Sequence, residues 1–239
     1  MNWFQPHIAK LRVCLEEWLH PENPLQLEAV ERTVDEGVFS RDEVEFQLKV
    51  FRRNLADGDL EKWADMHGLS DTYHAKHRKV LCLHAGNLPM VGMQDAIATI
   101  LSGADYFGKI SRKDPYLIPS FLESVKMNGI RNARQWYTNL DDFKPLKAEQ
   151  ILFAGSEQSA VDVQKVLAEK NLLAEDHRYL IRTAKTSIAW VQGVSDELKQ
   201  ALFMYEGRGC RSVTLVVSPK SLDEVKVDLA TAEKYQELD

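Results

Sequence analysis

From Lys79 onward the chain is a succession of short apolar runs, each closed by a turn and followed by a stretch with helical spacing. No other feature of the sequence limits the fold as much. The first run, Lys79-Val80-Leu81-Cys82-Leu83-His84, ends at Ala85-Gly86-Asn87-Leu88-Pro89, and residues 91–101 then place apolar side chains three and four apart. Ala104-Asp105-Tyr106-Phe107-Gly108-Lys109-Ile110 begins a second unit, with the turn Ser111-Arg112-Lys113-Asp114-Pro115 and a helix over 116–125. Gln150-Ile151-Leu152-Phe153-Ala154, the turn Gly155-Ser156 and a helix over 159–170 make a third. Strands alternating with helices of this length imply βαβ units and a parallel sheet, an α/β fold. Beyond them, strands are expected over 177–181 and 187–192, a helix over 196–205 and a last strand over 213–218.

The preceding part reads as helices over 8–19, 24–34, 41–53 and 59–66, each with the 3.6-residue period of a half-buried face. Ser40 followed by Glu43 is a capping-box signature, and Asp57-Gly58 breaks the chain before the last of these helices. Residues 71–79 are polar and read as a connection; there is no internal repeat and no low-complexity segment. With 239 residues and 44% hydrophobic content, the chain can bury a sizeable core as one large domain or two modest ones.

A net charge of −6 gives no general electrostatic reason to expect nucleic acid or an anionic membrane as partner. No run has the length of a membrane span, and residues 1–12 lead into no signal-peptide core, so a cytoplasmic protein is expected. Cys14, Cys82 and Cys210 are an odd, widely spaced set with neither the pairing of a disulfide framework nor zinc-ligand spacing. His74 and His77 lie in a polar stretch without an H-E-x-x-H pattern, so no metal is expected.

Ligands of open α/β sheets lie beyond the carboxyl ends of the strands, which directs attention to the three turns. Asn87 offers an amide that can donate to a developing oxyanion, or simply forms the turn. Lys109, with Arg112 and Lys113 in the next turn, is a cationic cluster suited to ribose hydroxyls and phosphates, or solvated surface charge. Gly155-Ser156 opens a helix whose N–H groups and dipole favour a phosphate. Neither G-x-G-x-x-G nor a G-K-[ST] loop is present, which argues against an ordinary dinucleotide-binding dehydrogenase or a P-loop enzyme. Farther on, Tyr205-Glu206-Gly207-Arg208-Gly209-Cys210-Arg211-Ser212 sets one cysteine between two arginines after two glycines. Cationic neighbours lower a thiol pKa and only the thiolate is a nucleophile; a small buried hydrophobe leading into a strand is the alternative.

In this order, His84 through Pro89, Leu101 through Pro115, Phe153 through Ser156, Arg182 through Ser187 and Tyr205 through Ser212 resemble the long-chain acyl-CoA reductase family. That family includes the fatty-acid reductase of bacterial bioluminescence and belongs to the aldehyde dehydrogenase superfamily. The resemblance implies that Cys210 is the nucleophile and that Asn87 helps bind the thiohemiacetal oxyanion. It implies that Lys109 holds the adenosine ribose of a nicotinamide cofactor and that Gly155 and Ser156 open the helix under the pyrophosphate. Where many NAD-using members carry a glutamate three positions after that lysine, this chain has Arg112, which suits a 2′-phosphate and therefore NADPH. Hydrolytic members carry a water-activating glutamate in an E-L-G-G-K segment; the matching Leu180-Ile181-Arg182-Thr183-Ala184-Lys185 has no carboxylate. The activity so implied is NADPH-dependent reduction of a fatty acyl-CoA to the aldehyde through a cysteine thioester. A CoA-acylating aldehyde dehydrogenase running in the oxidative direction, and a catalytically idle nucleotide-binding or interaction protein, remain as alternatives. Family members continue well past the cysteine. The expected division is therefore N-terminal helices plus a cofactor-binding domain over 1–204 and the start of an incomplete catalytic domain over 205–239, with a homo-oligomer left open.

Overall fold

The computed structural model describes residues 4–37, 39–56, 58–69, 77–183, 187–203 and 213–225. Four helices come first: α1 Phe4–Trp18, α2 Pro24–Glu36, α3 Arg41–Ala56 and α4 Asp59–Met66. Their starts follow local rules. Asn23 caps α2 by accepting from the Gln26 N–H at 3.1 Å, with Pro24 at the first helical position. At α3 the expected capping box is complete, the Ser40 N–H donating to the Glu43 carboxylate at 2.9 Å and the Glu43 N–H to Ser40 Oγ at 3.3 Å.

The βαβ units then appear as β1 Lys79–Leu83, α5 Met93–Leu101, β2 Asp105–Lys109, α6 Leu117–Met127 and β3 Ala133–Tyr137. A 3₁₀ turn at Leu140–Phe143 leads to β4 Ala148–Gly155, α7 Glu157–Glu169 and β5 Leu173–Thr183. These five strands form one parallel sheet in the order β3-β2-β1-β4-β5. The chain lays β1 to β3 outward in one direction and returns to place β4 on the other side of β1. That reversal makes the β1/β4 boundary the topological switch point, where an open α/β sheet leaves a crevice.

The centre of the sheet is buried on both faces, and β1 shows why its sequence is an unbroken apolar run. Val80 and Cys82 point into the core shared with α1 to α6, while Leu81 and Leu83 point into a second core built with Ile151, Phe153, Ala160 and Leu167. Past the main sheet, β6 Ile188–Trp190 and β7 Leu215–Val217 pair in parallel as a separate two-stranded sheet, with α8 Asp196–Phe203 between them in the chain. Among the described residues, no helix is long and apolar enough to cross a membrane.

Two elements differ from the sequence expectation. β3 is not foreseen, because Ala133-Arg134-Gln135-Trp136-Tyr137 is a sheet edge and its middle side chains are exposed or half-buried rather than apolar and buried. β5 runs from Leu173 instead of beginning at 177, its polar residues lying on the solvent side of the opposite edge strand.

Candidate functional site

The site is assembled at the carboxyl ends of β1, β2 and β4. Leu83, the last residue of β1, pairs with Lys109 on one side and Phe153 on the other, so the three turns leave the sheet near one level. Lys109 and the end of β4 are thus two strand spacings apart, about 10 Å.

The first turn is locked by buried polar contacts. The His84 N–H donates to the Lys109 carbonyl at 3.0 Å, and His84 Nε2 lies 2.7 Å from the Tyr106 hydroxyl. Burial, with a smaller contribution from Lys109, pushes the His84 imidazole down to about 3, so it is neutral at pH 7. Gly92 is required beneath that ring, since a Cβ there would lie 1.7 Å from His84 Nδ1. Farther along the turn, buried Met90 has a left-handed backbone with φ of 55°, and its N–H donates to the Asp114 carboxylate at 2.7 Å. Asp114 is itself buried, and desolvation lifts its carboxyl to about 6 against the lowering effect of the backbone donors at Met90 and Leu117. Because Asp114 belongs to the loop after β2, this carboxylate ties the Asn87 turn to the Lys109–Arg112 loop. The two loops also touch directly, a Cβ on Gly86 meeting Ser111 Oγ at 1.9 Å.

Asn87 sits half-buried in this clamped turn. Lys109 is half-buried at the end of β2, its ammonium held below the ordinary lysine range first by desolvation and then by the nearby Arg112 guanidinium. Arg112 is exposed, and among the described residues no carboxylate forms an ion pair with it or with Lys109. Two neighbouring cations that no described carboxylate pairs with fit an anionic ligand carrying hydroxyls and phosphate. On the far side of β1, exposed Gly155 ends β4 and Ser156 is the N-cap of α7, its hydroxyl accepting from the Ser159 N–H at 3.1 Å. The positive end of the α7 dipole favours an anion at this helix start.

Asn87, Lys109, Arg112, Gly155 and Ser156 therefore lie at one end of one sheet. Cys210 lies outside the described residues. Of residues 180–185, Leu180 through Thr183 end β5, and Arg182 donates to both carboxylate oxygens of Asp95 on α5 at 2.5 Å. That ion pair, like the Asp114 and His84 contacts, is absent from the sequence reading. Its partners are 87 positions apart and no local pattern connects them.

No protein-family model and no curated protein matches this chain. Its fold does match solved structures. An aldehyde dehydrogenase of Mycobacterium tuberculosis complexed with NAD+ superposes with a TM-score of 0.62 at 13% identity, over 98% of this chain and 51% of that one. An indole-3-acetaldehyde dehydrogenase of P. syringae, in complex with NAD+ and IAA, gives 0.59 at 13% identity over 99% and 51%. An aldehyde dehydrogenase of Bartonella henselae gives 0.56 at 16% identity over 99% and 52%. The likeness is one of fold: an α/β domain with a parallel sheet, as in aldehyde dehydrogenases. The chain spans about half the length of the structures it matches.

Proposed function

We propose that this chain carries the nicotinamide-cofactor half of an NADPH-dependent reductase that converts a fatty acyl-CoA to the aldehyde. The observation that supports the reading most is the arrangement at the switch point: an aldehyde dehydrogenase-like sheet with Lys109 and Arg112 at the end of β2, which no described carboxylate pairs with, and the start of α7 after β4. Lys109 would take the adenosine ribose hydroxyls, Arg112 a 2′-phosphate, and the Gly155-Ser156 start of α7 the pyrophosphate. A bound NADPH supplies the hydride. The Cys210 thiolate attacks the thioester carbonyl, and the tetrahedral adduct expels the CoA thiolate to leave an acyl-enzyme. Asn87 donates to the oxygen that becomes negative in that adduct and again after reduction. The thiohemiacetal then breaks its C–S bond, releasing aldehyde and returning the thiolate, with one proton taken up as CoA leaves as its thiol. Arg182, held by Asp95 at the segment matched to the hydrolytic glutamate, offers no base to activate water, which accords with CoA rather than water as the acyl partner.

The test is a paired assay of NADPH oxidation with a long-chain acyl-CoA and trapping of a radiolabelled acyl group on Cys210. Acyl label that disappears in Cys210→Ala, together with aldehyde formation, is the expected result. Equal labelling of Cys210→Ala overturns the nucleophile assignment. NADPH binding without acylation replaces the proposal with an idle nucleotide-binding protein.

A further inference from the structure

At the opposite end of the sheet, where β2 and β3 begin, lies a cavity of about 410 Å³ that the proposed reaction does not use. Its volume falls in the range of small-molecule sites. The walls come from four stretches of the chain: the first turns of α1, His77 ahead of β1, the run from the end of α5 into β2, and the run from the end of α6 into β3. Its charge is one-sided in a protein whose net charge is −6. Lys10, Arg131 and Arg134 line it against a single carboxylate, Asp105, which already accepts from Arg134 Nε at 2.8 Å. Among the described residues no carboxylate forms an ion pair with Lys10 or Arg131. His7 and His77 also line it.

An ordinary structural use for such cations is to cap helix C-termini, and α5 and α6 both end here. Their ends are closed without them. The Gly103 N–H and the Asn132 amide donate to the Ile100 carbonyl at 3.1 and 2.8 Å, and His7 Nε2 donates to it at 2.7 Å. At α6 the Gly129 and Ile130 N–H groups donate to Lys126 and Val125 at 2.9 and 3.1 Å, with Gly129 left-handed at φ of 73°. Two helix C-termini contribute roughly one negative charge between them, and the N-terminus of α1 returns about half of it. The surplus of two full positive charges outweighs that. We infer that this cavity is a binding site for a small organic oxyanion, a phosphate or polycarboxylate, held by Lys10 and Arg131 with Arg134 behind them. Ile130 and Pro6 supply an apolar floor for the carbon part of the ligand.

Calorimetric titration of the whole chain with inorganic pyrophosphate and, separately, with citrate at matched ionic strength tests the site. Saturable binding of either anion is expected, weakened about tenfold or more by Lys10→Gln/Arg131→Gln, because two charge-assisted contacts are removed. The charge-keeping Lys10→Arg/Arg131→Lys is expected to retain binding, and near-ultraviolet circular dichroism checks that each variant is folded. Because pyrophosphate also suits the proposed cofactor crevice, the same titration is run on Lys109→Met/Ser156→Asp, in which any crevice component is weakened while the component that Lys10→Gln/Arg131→Gln removes is expected to remain. Absence of saturable binding, binding unchanged in Lys10→Gln/Arg131→Gln, or binding lost in the crevice variant each overturns the inference.

Discussion

At the scale of single residues, two buried titratable groups give the first turn of the site a pH signature that can be worked out in sign. His84 has a folded pKa of about 3, far below its ordinary 6.5. Its contribution to stability is therefore complete above pH 6.5 and is lost as pH falls from there toward 3, because the unfolded chain takes up the proton first. Asp114 has a folded pKa of about 6, above its ordinary 3.8. Here the folded state is the one that binds the proton more tightly, so the contribution is complete below 3.8 and is lost as pH rises through 6. Across the shared window the two slopes oppose one another, each up to about 1.4 kcal/mol per pH unit. Urea denaturation between pH 4 and 6 is expected to show that Asp114→Asn loses stability more steeply than the parent as the solution is acidified. His84→Gln is expected to move the slope the other way, and parallel profiles for all three proteins sink the assignment. A steric prediction sits beside it. Gly92→Ala puts a methyl group inside the buried His84 ring and is expected to cost at least about 2 kcal/mol, measured in the same denaturation experiment.

At the scale of elements, helix α7 separates two duties that Ser156 performs at once. Its hydroxyl caps the Ser159 N–H, and its position opens the helix end proposed to face a pyrophosphate. Ser156→Asp keeps a capping acceptor and adds a negative charge, so thermal stability is expected to stay within about 0.5 kcal/mol of the parent while NADPH affinity falls about tenfold. Ser156→Ala is expected to lose about 1 kcal/mol of stability with a smaller change in affinity. Equal affinity of Ser156→Asp and parent by fluorescence titration would remove α7 from the site. The same elements show how far a sequence can be read. β1, β2 and β4 announce themselves because strands buried on both faces must be continuously apolar. β3 escapes because an edge strand with Arg134 and Gln135 facing water has no such requirement. The contacts that organise the site escape for a different reason. His84 with Tyr106 and Met90 with Asp114 join residues 22 and 24 positions apart, and Arg182 with Asp95 joins residues 87 apart. Each partner has an unremarkable local sequence, and only the strand order brings them together.

For the whole molecule, the proposed function turns on which nicotinamide cofactor the proposed site would prefer, because that choice depends on groups the fold gathers from separate units. The matched structures include NAD+ complexes, yet their likeness to this chain is one of fold and does not carry their ribose contacts with it. In this chain the position three beyond Lys109 is a cation rather than a carboxylate, and no described carboxylate forms an ion pair with either side chain. A 2′-phosphate gains a charge-assisted contact there, whereas a bare 2′-hydroxyl gains little. Parent protein is accordingly expected to bind NADPH more tightly than NADH by about tenfold or more. Arg112→Glu is expected to reverse the order, since a carboxylate accepts from ribose hydroxyls and repels phosphate. Lys109→Met is expected to weaken both cofactors alike, because the ribose it is proposed to hold is common to them. The result that defeats this scheme is an Arg112→Glu protein whose NADPH-to-NADH ratio equals that of the parent. In that case the 2′ position of the cofactor is turned away from the β2 loop, and Arg112 is solvated surface charge.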